Sequence, residues 1–267
     1  MLRKITVNLY GGLGNQLFQY FASSFLRSKM INLFPDIDVN IVVNTRILNS
    51  YKTKHESSIF AFHKDIECGF SILNYLRFPR IFSIDGLVND KNYSQLQLEN
   101  KNYYLDGYFQ DCMKSKEFND YLLDFKSEFS NLNKKKSYFY SDACVIHVRG
   151  GDFLRLGWSS MHDAEYYRNS ILHMKKLGVQ DFFLITDDAD YARKLIDPVC
   201  TNFEIISSTF LNDFVSIGLF QYRILSSSTF SFWASALSSH PNPVVVAPEF
   251  WSPGRRRNLR LPGEVDL

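Results

Sequence analysis

A glycine turn near the amino end offers the first chemistry. Tyr10-Gly11-Gly12-Leu13-Gly14-Asn15-Gln16-Leu17-Phe18-Gln19-Tyr20 follows a short apolar run, Ile5 to Leu9, and leads into a helical pattern from about Asn15 to Met30. A strand, a glycine turn and a helix start bring bare backbone N–H groups to one point, where a phosphate or a sugar can approach. Glycine accepts positive φ there and leaves no Cβ in the way. The plainer alternative is a tight strand-to-helix turn with no ligand. Two nucleotide motifs do not fit. The dinucleotide pattern needs a third glycine where Leu17 stands, and no Gly-Lys-Ser/Thr is present.

Three further polar groups follow apolar runs in the second half. They are His147-Val148-Arg149-Gly150-Gly151-Asp152, Thr186-Asp187-Asp188 and Ser226-Ser227-Ser228-Thr229-Phe230-Ser231. Arginine forks onto phosphate in a bidentate way. Serine and threonine at a helix start offer hydroxyls beside free N–H groups. Asp187 or Asp188 could accept from the N–H edge of guanine or from ribose hydroxyls. Each group also has a structural reading: Ser228 as an N-cap, Asp187-Asp188 capping the next helix, His147 as a satisfied structural histidine, Arg149 with Asp152 as a local ion pair. Their coincidence at three strand ends favours a nucleotide-sugar site.

The elements that must carry these groups alternate. Strands are predicted at Lys4–Tyr10, Val39–Val43, Ile81–Ile84 and Tyr103–Tyr108, then at Ala143–Val148, Asp181–Thr186, Phe203–Ile206, Tyr222–Leu225 and Val244–Ala247. Helices are predicted at Asp163–Leu177, closed by Gly178, and at Ala189–Leu195 and Thr229–Leu237. Such alternation argues for parallel sheets with helices on both faces. The polar stretch Ser127 to Ser141 reads as a linker, giving an N-terminal, acceptor-side domain over 1–130 and a C-terminal domain for the nucleotide-sugar over 142–267. Ligands in such sheets bind beyond the carboxyl ends of the strands.

Composition narrows the class. Apolar residues make up 45% of the 267, aromatic residues 16%, as in a folded globular protein, and the net charge of +2 makes no case for nucleic acid. The cysteines, Cys68, Cys112, Cys144 and Cys200, form no Cys-x-x-Cys pair, so neither a zinc ribbon nor a redox pair is indicated. No apolar run reaches the roughly 18 residues of a membrane span. Met1 leads straight into the first strand without a signal peptide, and a cytoplasmic setting is expected.

The motifs taken together resemble the bacterial α-1,2-fucosyltransferases of glycosyltransferase family 11. The glycine turn, Gly107-Tyr108-Phe109-Gln110, the His147 to Asp152 segment and Ser228-Thr229-Phe230-Ser231-Phe232-Trp233 carry the resemblance in family order. Tyr166-Tyr167, Thr186-Asp187-Asp188, Ala247-Pro248 and Trp251 support it. The resemblance implies a GT-B architecture, an α/β fold of two Rossmann-like domains facing a cleft. It also implies an inverting, metal-independent transfer of L-fucose from GDP-β-L-fucose to a sugar hydroxyl, commonly O2 of galactose. No cofactor is expected. Arg149 would hold the β-phosphate, Asn15 would reach the pyrophosphate or fucose, and Asp152 would orient Arg149 or act as base. Gly12, Gly14, Gln16, His147, Asp187, Asp188, Ser228, Thr229 and Phe230 would contact the donor. The family's usual second arginine is Gly150 here, and Arg155 could supply that charge.

Some readings stay open. Asp152, Asp106, Asp111 and His55 are all possible general bases. Asp188-Ala189-Asp190 spells the Asp-x-Asp of metal-dependent glycosyltransferases. A different GDP-sugar, such as GDP-colitose, would suit the same fold, and a non-catalytic sugar- or nucleotide-binding module is the non-enzymatic alternative. The expected acceptor is a galactose-containing oligosaccharide or a lipid-linked glycan such as an O-antigen unit. The run Arg255-Arg256-Arg257, with Arg260, reads as a solvated charge run or as a contact with an anionic inner membrane surface.

Overall fold

The structure, a computed structural model, describes residues 1–44, 59, 86–129, 139–157 and 163–267, and for Asp152 the backbone alone. The strand expected at 81–84, His55, Cys68 and most of the expected linker lie outside the described residues. The chain divides into two units, Met1–Glu128 and Phe129–Leu267.

In the first unit, β1 (Leu2–Asn8) leads through Gly11 and Gly12 into helix α1 (Leu13–Leu33), followed by β2 (Asp38–Asn44), β3 (Leu87–Val88), β4 (Tyr103–Leu105) and helix α2 (Ser115–Glu128). The sheet order is β2-β1-β4-β3, and every pairing is parallel. Helix α1 begins two residues earlier than its apolar pattern suggests. Gly12 is its N-cap, so Gly14 lies inside the helix and only Gly11, at φ 76°, needs glycine's freedom in the turn. The polar face expected on α1 is not all exposed. Ser23 and Ser24 are buried, and Ser24 Oγ bonds Glu128 Oε1 at 2.8 Å because α2 packs there. Phe118 and Phe125 of α2 close on Phe21 at 4.9 and 4.8 Å between ring centres.

Strand β4 stops at Leu105, short of the expected Tyr108. The Asp90 carboxylate accepts from the N–H groups of Tyr108 (2.9 Å) and Phe109 (2.5 Å), and Phe109 adopts φ 56°. A left-handed, non-glycine residue cannot continue a strand, and its buried ring packs instead on Tyr93.

The second unit holds five parallel strands in the order β7-β6-β5-β8-β9: β5 (Tyr140–Val148), β6 (Asp181–Thr186), β7 (Phe203–Ile205), β8 (Phe220–Ile224) and β9 (Val244–Val246). Between them run α3 (Gly151–Arg155), α4 (Ala164–Lys176), α5 (Ala189–Ile196), α6 (Phe210–Ile217) and α7 (Thr229–Ala236). Cys144, Val145, Ile146 and Val148 of β5 are all buried, as expected for a strand covered on both faces. Cys144 is thus core, and burial pushes its thiol up. A short antiparallel pair, β10 (Phe250–Ser252) with β11 (Arg255–Arg256), follows the last parallel strand.

Both units are therefore parallel α/β. In the second, the strand order reverses at β5 and β8, so the crevice for a ligand opens between their carboxyl ends.

Candidate active site

Strand β5 delivers His147 and Arg149 to that crevice, and β8 delivers the serine run opposite. His147 Nδ1 lies 2.7 Å from Ser226 Oγ, tying the two strand ends together. The histidine is buried, with the Phe230 ring centre 5.8 Å from its own. Behind them, the Tyr166 hydroxyl donates to Leu225 O at 2.6 Å and that of Tyr167 to His147 O at 3.3 Å. Burial pushes both phenols well above their ordinary range, so they stay protonated donors.

Arg149 is positioned by Asp187. One carboxylate oxygen sits 2.6 Å from Arg149 Nη1, and the other accepts from Gly150 N at 2.8 Å. A carboxylate so engaged aims the guanidinium. The Arg149 side chain keeps 31% exposure, which a ligand could cover. Asp187 reaches Arg149 because parallel β5 and β6 end side by side, with Val148 opposite Thr186. The expected local Arg149–Asp152 pair rests on a side chain that lies outside the described residues.

Asp188 is the N-cap of α5, and its side chain accepts from Tyr191 N at 3.0 Å. The capping reading holds for this residue, and the carboxylate is turned toward the helix start. Ser228 likewise caps α7, accepting from Phe230 N at 3.3 Å. Capping does not remove it from the crevice: Thr229 and Phe230 stand in the first turn of α7, directly after the end of β8. Anions are favoured at such a helix start.

Gly150 has a steric reason. A Cβ there would lie 2.6 Å from Asp188 Cβ and 3.2 Å from Tyr191 Cδ1. A Cβ on Gly151 would lie 2.6 Å from Asp187 Oδ2. The glycine pair lets the β6 loop close onto Arg149, and an arginine at 150 has no room. Arg155 lies at the last residue of α3, exposed.

In the first unit, Gly12 caps α1 without a side chain, so the first N–H groups of the helix face outward from bare backbone. Asn15 folds back over Gly11, whose added Cβ would meet Asn15 Nδ2 at 2.7 Å. Gln110 Nε2 donates to Asn15 Oδ1 at 2.9 Å, which joins the first and second motifs. Gln16 points inward. It is fully buried, its Nε2 donates to Gly11 O at 2.9 Å and its Oε1 accepts from Ile59 N at 3.1 Å. It shapes the turn from behind, in place of the expected contact with donor. Sequence reasoning missed Asp90, whose signal would have been an acidic residue ahead of a motif that needs a left-handed turn.

The arginine run is not a uniform charged face. Arg256 pairs with Glu249 at 3.4 Å, Arg260 with Asp266 at 2.8 Å, and Arg257 is buried against Glu264. Among the described residues no helix is long and apolar enough to cross a membrane, and no three His, Cys, Asp or Glu side chains gather as for a metal ion.

The chain is similar to several known proteins. The O-antigen biosynthesis glycosyltransferase WbnK of Escherichia coli is 24% identical, over 94% of this chain and 95% of that protein. An alpha-1,2-colitosyltransferase of Escherichia coli is 22% identical, over 92% of each. Among solved structures, E. coli heptosyltransferase WaaC with ADP-2-deoxy-2-fluoro heptose aligns over 98% of this chain and 94% of that one, with 11% identity and a TM-score of 0.46. The profile of glycosyl transferase family 11 matches residues 2–258, nearly the whole sequence, and the chain belongs to that family.

Proposed function

We propose that the protein transfers L-fucose from GDP-β-L-fucose, with inversion and without a metal ion, to a hydroxyl of a galactose-containing oligosaccharide. The product would be part of an O-antigen or other surface glycan. The observation that carries this reading is the Arg149–Asp187–Gly150 clamp beside the Ser228–Phe230 helix start. It is a preorganised cradle for a diphosphate leaving group.

The chemistry follows from that cradle. The bond from C1 of the sugar to the phosphate oxygen breaks, and the electron pair leaves with GDP. The acceptor oxygen bonds C1 from the opposite face and gives its proton to a base. The transition state puts new charge on the diphosphate, where the Arg149 guanidinium and the first N–H groups of α7 would meet it. Phe230 and His147 would flank the nucleotide. Asn15, beside the uncapped start of α1, would contact a phosphate or sugar.

A second donor is favoured by one finding, the similarity to an alpha-1,2-colitosyltransferase. GDP-colitose would occupy the same cradle, since only the sugar differs. The engaged arginines of the carboxyl-terminal segment weaken the case for electrostatic membrane attraction, so a lipid-linked acceptor would be met through its glycan.

The test is GDP release from GDP-fucose and from GDP-colitose with a panel of galactosides, with and without EDTA. Acceptor-dependent release from GDP-fucose that survives EDTA supports the proposal. Release only from GDP-colitose moves the donor. Loss with EDTA revives the Asp188-x-Asp190 reading.

A further inference from the structure

The carboxyl edge of the first unit's sheet carries a polar row with an aromatic brace. Asn8 pairs in register with Asn44, and Val7 pairs with Leu105, which puts Asp106 in the row beside Asn8. Side chains of one row project to one face of a sheet. Asn44 Nδ2 donates to Asn8 Oδ1 at 2.7 Å, and Asn8 Nδ2 donates to Asp106 Oδ1 at 3.2 Å. The direction of this relay is fixed, because an ionised carboxylate only accepts. Asp106 is exposed, and its Oδ2 takes no hydrogen bond from the described residues.

Two residues beyond Asn8 and two beyond Asp106 stand tyrosines, Tyr10 and Tyr108. Tyr10 meets Tyr108 edge to face, with ring centres 5.0 Å apart and planes at 75°. Tyr10 is fixed by its N–H donating to Gln19 Oε1 at 3.0 Å, and Tyr108 by its N–H donating to Asp90 Oδ2. Tyr108 remains 40% exposed.

We infer that Asp106 and Tyr108, held by Asn8, Asn44 and Tyr10, form the binding site for the acceptor sugar. The chemistry selects a neutral polyhydroxylated ring. A free carboxylate oxygen accepts hydrogen bonds from sugar hydroxyls and repels phosphate. The negative face of a tyrosine ring suits the weakly positive C–H face of a pyranose. The site lies where ligands of parallel sheets bind, beyond the strand ends. This inference rests on the transferase reading for the word acceptor, while saccharide binding itself is measurable without any donor.

The experiment is ligand-observed saturation-transfer NMR on the full chain. The probes are the methyl glycosides of galactose, glucose and N-acetylgalactosamine, with no nucleotide present. The wild type should saturate the ring protons of at least one probe. Asp106→Asn, which keeps the shape, and Tyr108→Ala, at an exposed position, should each weaken that probe about tenfold or more, with GDP affinity unchanged. No saturation of any probe by the wild type, or wild-type binding by both variants, overturns the inference. GDP affinity is read on the same samples. A wild type that binds a probe but not GDP would refute the proposed donor chemistry and leave the saccharide site standing.

Discussion

Replacing Arg149 by alanine separates the site's role in chemistry from its role in folding. The guanidinium keeps 31% exposure and its ion pair with Asp187 is partly solvated, so the pair contributes on the order of 0.2–1 kcal/mol to stability. The Asp187 carboxylate retains the Gly150 N–H at 2.8 Å, so the β6 loop stays anchored when the arginine is gone. The cost to chemistry is larger. Loss of one preorganised donor at a developing oxyanion costs roughly 2.7–4 kcal/mol, or about 10²–10³ in turnover. The assay is GDP release at saturating donor and acceptor, with thermal unfolding of the same sample. Turnover should fall by two to three orders of magnitude while the unfolding temperature moves by only about 2–4 °C. Arg149→Lys should recover only part of the rate, since an ammonium keeps the charge but lacks the planar fork. Wild-type turnover in the alanine variant would refute the assignment. An inactive variant that had also lost its cooperative unfolding would refute the separation of roles.

Three further outcomes follow from packing and charge. Gly150→Ala places a Cβ 2.6 Å from Asp188 Cβ, and overpacking of this kind costs about 1–3 kcal/mol; chemical denaturation should show it, and an unchanged midpoint would mean that the β6 loop yields freely. Arg257 and Glu264 are 6% and 7% exposed, so Arg257→Ala leaves a buried carboxylate and should destabilise by about 3–5 kcal/mol, whereas Arg257→Met with Glu264→Leu should recover much of the loss in urea titrations. His240 is held below its ordinary pKa by burial first and by the nearby Arg223 charge second, and its Nδ1 accepts from Asn242 N at 3.3 Å, which the protonated ring cannot do. Its folded pKa is the depressed one. As pH falls through about 6.5, the unfolded chain takes up a proton that the folded chain resists, and stability drops. Urea midpoints at pH 8 and pH 5.5 should differ more for the wild type than for His240→Gln; equal differences would remove His240 as the cause.

The sequence by itself determined the local grammar. Alternating apolar runs and helical patterns gave two parallel α/β units, because periodicity and turn chemistry act over a few residues. The motif residues stood at strand ends for the same reason, and Ser228 and Asp188 were recognisable as caps from their place before a helix. Helix α2 was not among the predicted helices, although Phe118, Leu122 and Phe125 mark one buried face of it. Partner choice needed the tertiary structure. His147 meets Ser226, 79 residues away, only because β5 and β8 are neighbours in the sheet. Arg149 takes Asp187 across β6, and that strand order decides which carboxylate is near. Gln16 and Gln110 look alike as polar members of the first and second motifs, yet one is sealed behind the turn and the other grips Asn15. The same holds for the arginine run, where Arg257 is buried and its neighbour Arg256 is not. Local pattern fixes which elements form; the stacking of those elements fixes which side chains can touch, since contacts distant in sequence depend on strand order and register.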